Sequence, residues 1–150
     1  MTITEINSNT FIADLVNFIR DKLKDNITDP LGNRATNERF VMTSYPQRAV
    51  RYPIITITDL GSRQEARLGM QSESTLMKLG IEIRIWGRNV KERDELFDEV
   101  YTWLRTNQFG GSEATTDANI HDFSVSSVTN VSEPDVKSKI MEVQYIFVCE

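Results

Sequence analysis

"LGIEIRIWGRNVKERDELFDEVYTWLR", residues 79–105, carries two periods in one stretch, and the change between them decides the fold. Up to Trp86 the residues alternate. Leu79, Ile81, Ile83 and Ile85 fall on one side, with Gly80, Glu82, Arg84 and Trp86 on the other. Thr75, Met77 and Lys78 extend the pattern upstream, which is that of an antiparallel strand with one buried face. From Val90 the apolar spacing becomes helical: Val90, Phe97, Val100, Tyr101 and Leu104, joined by Leu96, form an inward stripe over about 90–106. Lys91, Glu92, Asp94, Glu95, Asp98 and Glu99 occupy most of the remaining positions. Gly87 permits a turn, Asn89 is the expected N-cap, and Glu92 sits three residues later in a capping-box arrangement. Charges and a Trp crowd together here as they would in an active site. Sorted by period, they form a strand-to-helix joint whose charges are expected on the solvent side.

The rest of the chain falls into place around that joint. In "TFIADLVNFIRDKLKDNI" the residues Phe11, Ile12, Leu15, Val16, Phe18, Ile19 and Leu23 recur at helical spacing. Asn9 or Thr10 can cap the first turn, and Pro30 and Gly32 end the element. "ERFVMTSYP" reads as a short strand and "YPIITITD" as a longer one, with Ile55 and Ile57 on one face and Ile54, Thr56 and Thr58 on the other. Between "YPIITITD" and the strand ending at Trp86, "LGSRQEARLGMQSES" has no clear core pattern. It reads as a long loop, or as an extended hairpin because both its flanks are strands. "NQFGGSEATTD" ends the second helix at Gly110 and Gly111. Two further strands, "NIHDFSVSSVTNVSEPD" and "VKSKIMEVQYIFVCE", meet at the turn "SEPD", with Met141, Val143, Tyr145, Phe147 and Cys149 on one side of the last. The expected architecture is one α+β domain of order α-β-β-β-α-β-β. About five strands form a mostly antiparallel, mixed sheet with two helices packed on one face.

Composition narrows the function. Hydrophobic residues make up 39% of the 150 and charged residues 26%, a globular rather than a disordered balance. The net charge of −5 opposes a chain-wide nucleic-acid footprint. Residues 34–67 stand apart, with six arginines against three carboxylates; that +3 leaves −8 for the remainder. One Cys, Cys149, allows no internal disulfide and suits a reducing cytoplasm, and "MTITEINSNT" has no signal-peptide pattern. No apolar run is long enough to cross a bilayer. One Cys and one His, His121, cannot supply the three or four ligands of a Cys/His metal site. No G-x-S-x-G, P-loop or dinucleotide fingerprint is present, so neither a catalytic group nor a cofactor is expected. "SYPQRAVRYP", with Arg48, Arg51, Tyr45 and Tyr52, is a weak match to a nucleic-acid surface.

The element order, together with "YPIITITDLG" and "LGIEIRIWGRNVKERDELFDEVYTWLR", resembles the tail-terminator and tail-completion (neck) proteins of long-tailed bacteriophages. A Tyr-Pro-led strand and an I-x-I-x-I-W strand feeding an amphipathic helix carry the resemblance, which spans nearly the whole chain. It implies a structural virion protein, assembled in the host cytoplasm into a homo-oligomeric ring, commonly a hexamer. Such a ring sits on the tail-tube protein, stops tube growth and presents a surface to the head–tail connector. It reads no specific nucleic acid, although the genome would pass through it. A head-side neck adaptor and a small nucleic-acid-binding α+β module are the alternatives. From loop length and charge asymmetry, the expected contact residues are Arg63, Arg67, Leu68 and Met70. Arg48 and Arg51 come second, facing acids such as Glu95 and Glu99 of a neighbouring copy.

Overall fold

A computed structural model describes residues 11–35, 38–44, 50–67, 75–106, 120–133 and 136–149; residues 11, 12, 14, 62–67, 75–77, 120–123 and 146–149 are described by their backbone. The elements are α1 (Phe11–Asn26), β1 (Val41–Met42), β2 (Ile54–Arg67), β3 (Thr75–Gly87), α2 (Val90–Thr106), β4 (Ile120–Ser132) and β5 (Lys137–Cys149). One five-stranded sheet has the order β1-β2-β3-β5-β4. β1 runs parallel to β2 and every other pairing is antiparallel, so the sheet is mixed, as the α+β reading expects.

The alternation in β3 carries straight into packing. Its neighbours align Ile57 with Ile83 and Ile83 with Met141, then Ile81 with Val143 and Leu79 with Tyr145. All these side chains are buried in one cluster with Leu15, Phe18, Ile19 and Leu23 of α1 and Leu96, Phe97, Val100 and Leu104 of α2. Both helices therefore lie on the same face, α1 against β1 and β2, and α2 against β3 and β5. Burying an aliphatic side chain of this size contributes roughly 1.5–3 kcal/mol. Tyr145 is wholly buried among them, and burial pushes its hydroxyl pKa well above the ordinary value.

The joint at Gly87 differs in detail from the expected one. Asn89 Oδ1 accepts from the Glu92 N–H at 2.9 Å, making Asn89 the N-cap, but the Glu92 carboxylate returns to the Arg88 N–H at 3.1 Å instead of the cap residue's own. The Arg88 guanidinium closes on the same carboxylate at 2.6 Å. Val90 is half exposed and leaves the expected inward stripe, because it stands at the first helical position beside the turn. Arg93 takes an inward place at 6% exposure, so not every charge of this stretch lies on the solvent side. Its Nε donates to Asp94 at 2.9 Å, and Lys139 reaches Asp94 from β5 while its Nζ lies 4.6 Å from the centre of the Phe97 ring. The Arg93 hydrogen bond, helped by Lys139, holds the Asp94 carboxyl below the usual range.

Residues 61–67, read as part of a long loop or of an extended hairpin, are strand, as the hairpin alternative expects: β2 continues to Arg67 and pairs antiparallel with β3 as far as Arg67 against Thr75. A bulge between Asp59 and Gly61 marks where the arm begins. Gly61 adopts a φ of +102°, a conformation that favours glycine, and its N–H donates to the Asp59 carboxylate at 2.7 Å. Two further bulges, at His121/Ser124 and Val125/Ser127, explain the uneven alternation of β4. The face opposite the helices is also less open than the sequence suggests: near Gly87 it buries Ile54, Thr56 and Ser138 around Trp86.

Two measurements check this joint. A Cβ on Gly87 would stand 2.9 Å from the Arg93 backbone nitrogen, so Gly87→Ala is expected to destabilise the fold by about 1–3 kcal/mol in urea titration. An unchanged midpoint would mean that the β3–α2 turn adapts freely. Arg88 holds the Glu92 carboxyl below its ordinary pKa, so its contribution is complete above the usual carboxylate range and lost as pH falls through the folded value. Glu92→Gln should therefore lower the urea midpoint at pH about 7 and lose its effect by pH about 3. An equal deficit at both pH values contradicts this assignment.

Candidate interaction surfaces

Strand order leaves two sheet edges without a partner among the described residues. β4 is one border, and its outer side is unpaired along its whole length. β1 pairs only with Ile55 and Thr56, so the outer side of β2 from Ile57 to Arg67 is the second. Residues 124–132, "SVSSVTNVS", contain no charge and no proline, and Val128 is 49% exposed. Long uncharged edges of this kind are templates for strand addition.

The expected contact residues distribute unevenly. Arg63 and Arg67 lie on the free arm of β2, opposite Lys78 and Thr75 of β3, and are placed by backbone alone. Arg48, Leu68 and Met70 fall outside the described residues, as do the N-terminal cap and the glycines after α2. His121 and Cys149 are strand residues whose side chains are not described. Arg51 is already engaged within the chain: it donates to Glu38 at 2.7 and 2.8 Å and to the Asn33 carbonyl at 3.0 Å. That hydrogen bond holds the Glu38 carboxyl below its ordinary pKa and raises that of Arg51. Glu95 is exposed on α2 and lies 3.9 Å from Lys91. Glu99 is exposed beside a groove between the end of α1 and α2, lined by Ile27, Asp98, Thr102 and Trp103. The positive window of residues 34–67 is thus partly neutralised internally.

Arg34 shows why, and sequence reading missed it. Its side chain is 7% exposed and pairs with Asp29 at 2.6 Å, while its two terminal nitrogens donate to the Arg51 and Pro53 carbonyls at 2.8 Å. These bonds bracket the cis Tyr52–Pro53 peptide that leads into β2. Arg34 therefore clips the segment after α1 to the start of the sheet. Spacing could suggest an Asp29–Arg34 pair, but the carbonyl acceptors depend on how the chain returns.

No group of three or more His, Cys, Asp or Glu that could hold a metal occurs among the described residues, and no described helix is long and apolar enough to cross a membrane. Comparison with known protein families and with curated proteins found no match to this chain. Arg34→Met should cost about 1–3 kcal/mol, because Asp29 and two carbonyls lose their donor. A thermal-denaturation series on the full chain measures it, and a midpoint equal to the parent's removes Arg34 as the clip.

Proposed function

We propose that this chain is a ring-forming virion assembly protein of the tail-terminator type. It caps the tail tube of a long-tailed phage, ends its polymerisation and offers the joining surface to the head connector. The observation that carries the reading is the pair of free edges on opposite borders of one sheet. Successive antiparallel pairings from β2 through β3 and β5 to β4 leave β2 and β4 running in opposite directions. Laying β4 of one copy beside the outer edge of β2 in the next continues the sheet as an antiparallel pair. The two patches differ, so the contact is head-to-tail and closes into a ring when the rotation per copy allows. The resemblance implies six copies. Arg63 and Arg67 are register positions of β2 along this edge.

A phage lacking the chain should accumulate unjoined heads and tails of abnormal length, visible by electron microscopy. Normal tails on heads would end the proposal, and purified protein that binds free heads instead of free tails would move it to the head side of the neck. Val128→Lys with Asn130→Lys places two charges on the β4 edge. The double variant should keep the urea midpoint within about 0.5 kcal/mol of stability and yet lose tail capping. Full capping by this variant rules out the β4 edge as the contact.

A further inference from the structure

The geometry points to Arg84 as a preorganised receptor for a carboxylate of a partner polypeptide, on the sheet face away from the helices. Arg84 and Trp86 are two residues apart on β3 and share that face. The Arg84 Cζ lies 3.9 Å from the centre of the Trp86 ring, and its Nε and Nη2 both donate to Ser138 Oγ, at 3.1 and 3.0 Å. Ser138 is 1% exposed, so this acceptor cannot swing away. The indole is held in turn: its Nε1 donates to Thr56 Oγ1 at 3.1 Å, and the Tyr52 ring stacks on it at 6.4 Å. The guanidinium is therefore immobile before any ligand arrives, which removes much of the ordering cost of binding.

What this arrangement leaves unused defines its ligand. A guanidinium carries five N–H donors. The two given to Ser138 come from Nε and one side of Nη2, so among the described residues the Nη1–Nη2 edge keeps its parallel pair, the geometry that a carboxylate accepts in a fork. Arg20, Arg34, Arg51, Arg88 and Arg93 all pair with a carboxylate of this chain, whereas Arg84 forms no ion pair among the described residues. Glu82 and Glu142, cross-strand partners one step along the same face, repel further negative charge and so limit the ligand to a single carboxylate on Arg84. A polyphosphate backbone tracking across the sheet would pass both carboxylates, while a single Asp or Glu seated on Arg84 need not. Electrostatics thus favours one carboxylate of a protein segment over nucleic acid, and the stacked indole supplies a flat wall against its aliphatic carbons.

Trp86 reports on the site directly. In full-length protein carrying Trp103→Phe it is the sole tryptophan. A blocked pentapeptide with one glutamate among alanines should shift its emission saturably, and the same peptide with glutamine in that place should leave it unchanged. Arg84→Gln should weaken binding of the single-glutamate peptide by about tenfold or more, as expected for losing a charge-assisted bidentate contact. Should that variant unfold, Arg84→Lys keeps the charge but not the fork and should bind several-fold more weakly than the parent. The inference is overturned by absence of a saturable shift with the single-glutamate peptide, by an equal shift with its glutamine counterpart, or by equal affinity in the folded Arg84 variant. Tighter binding of an oligothymidylate than of the single-glutamate peptide would also overturn it, in favour of a nucleic-acid surface. None of these readouts depends on ring formation or tail capping.

Discussion

Everything in this protein hangs on burying one side of β3. Leu79, Ile81, Ile83 and Ile85 need apolar cover from both neighbouring strands and from a second layer. The register provides it by setting isoleucines of β2 and Met141, Val143 and Tyr145 of β5 beside them, under α1 and α2. A slip of one residue in either pairing would turn the apolar row outward, and the side-chain period of two makes that slip costly at every position together. The central strand is thereby specified more tightly than any other element.

The helix that follows β3 is tied to the same requirement. Gly87 lets α2 turn back immediately, because only a residue without Cβ tolerates the Arg93 backbone at that distance. The Asn89 cap and the Arg88–Glu92 pair then satisfy the first turn. The price of so short a connection is that Arg93 goes inward, and Asp94 balances its charge at the helix surface. Lys139 ties this cluster to β5.

Two kinds of surface remain once these demands are met. One is made of backbone: the borders of the sheet at β4 and along the outer part of β2, which have no strand partner among the described residues. The other is made of side chains: Arg84 clamped between Trp86 and Ser138 on the face that the helices do not cover. Edge pairing favours copies of the same chain, since it asks for complementary strand length and register. A forked guanidinium asks only for a carboxylate.

The sequence by itself determined the elements and the buried rows, because periods of two and 3.6 are local properties that adjacent residues enforce. The limits of α2 at Val90 and Thr106, the Asn89 cap and the isoleucine face of β3 were all legible in it. Where the apolar alternation lapsed, as in residues 61–67 and the bulged β4, local reading left loop and hairpin both open or blurred the strand's faces. The candidate surfaces were legible only in part. Arg63 and Arg67 were marked by charge, but Arg51 proved to be spent on Glu38, and an Arg-x-Trp spacing alone does not announce a locked guanidinium. Ser138 lies 54 positions from Arg84, and Glu38 13 positions from Arg51. Which edges stay open, and which arginines find an acid, follows from strand order, and strand order is set by the packing of the whole chain.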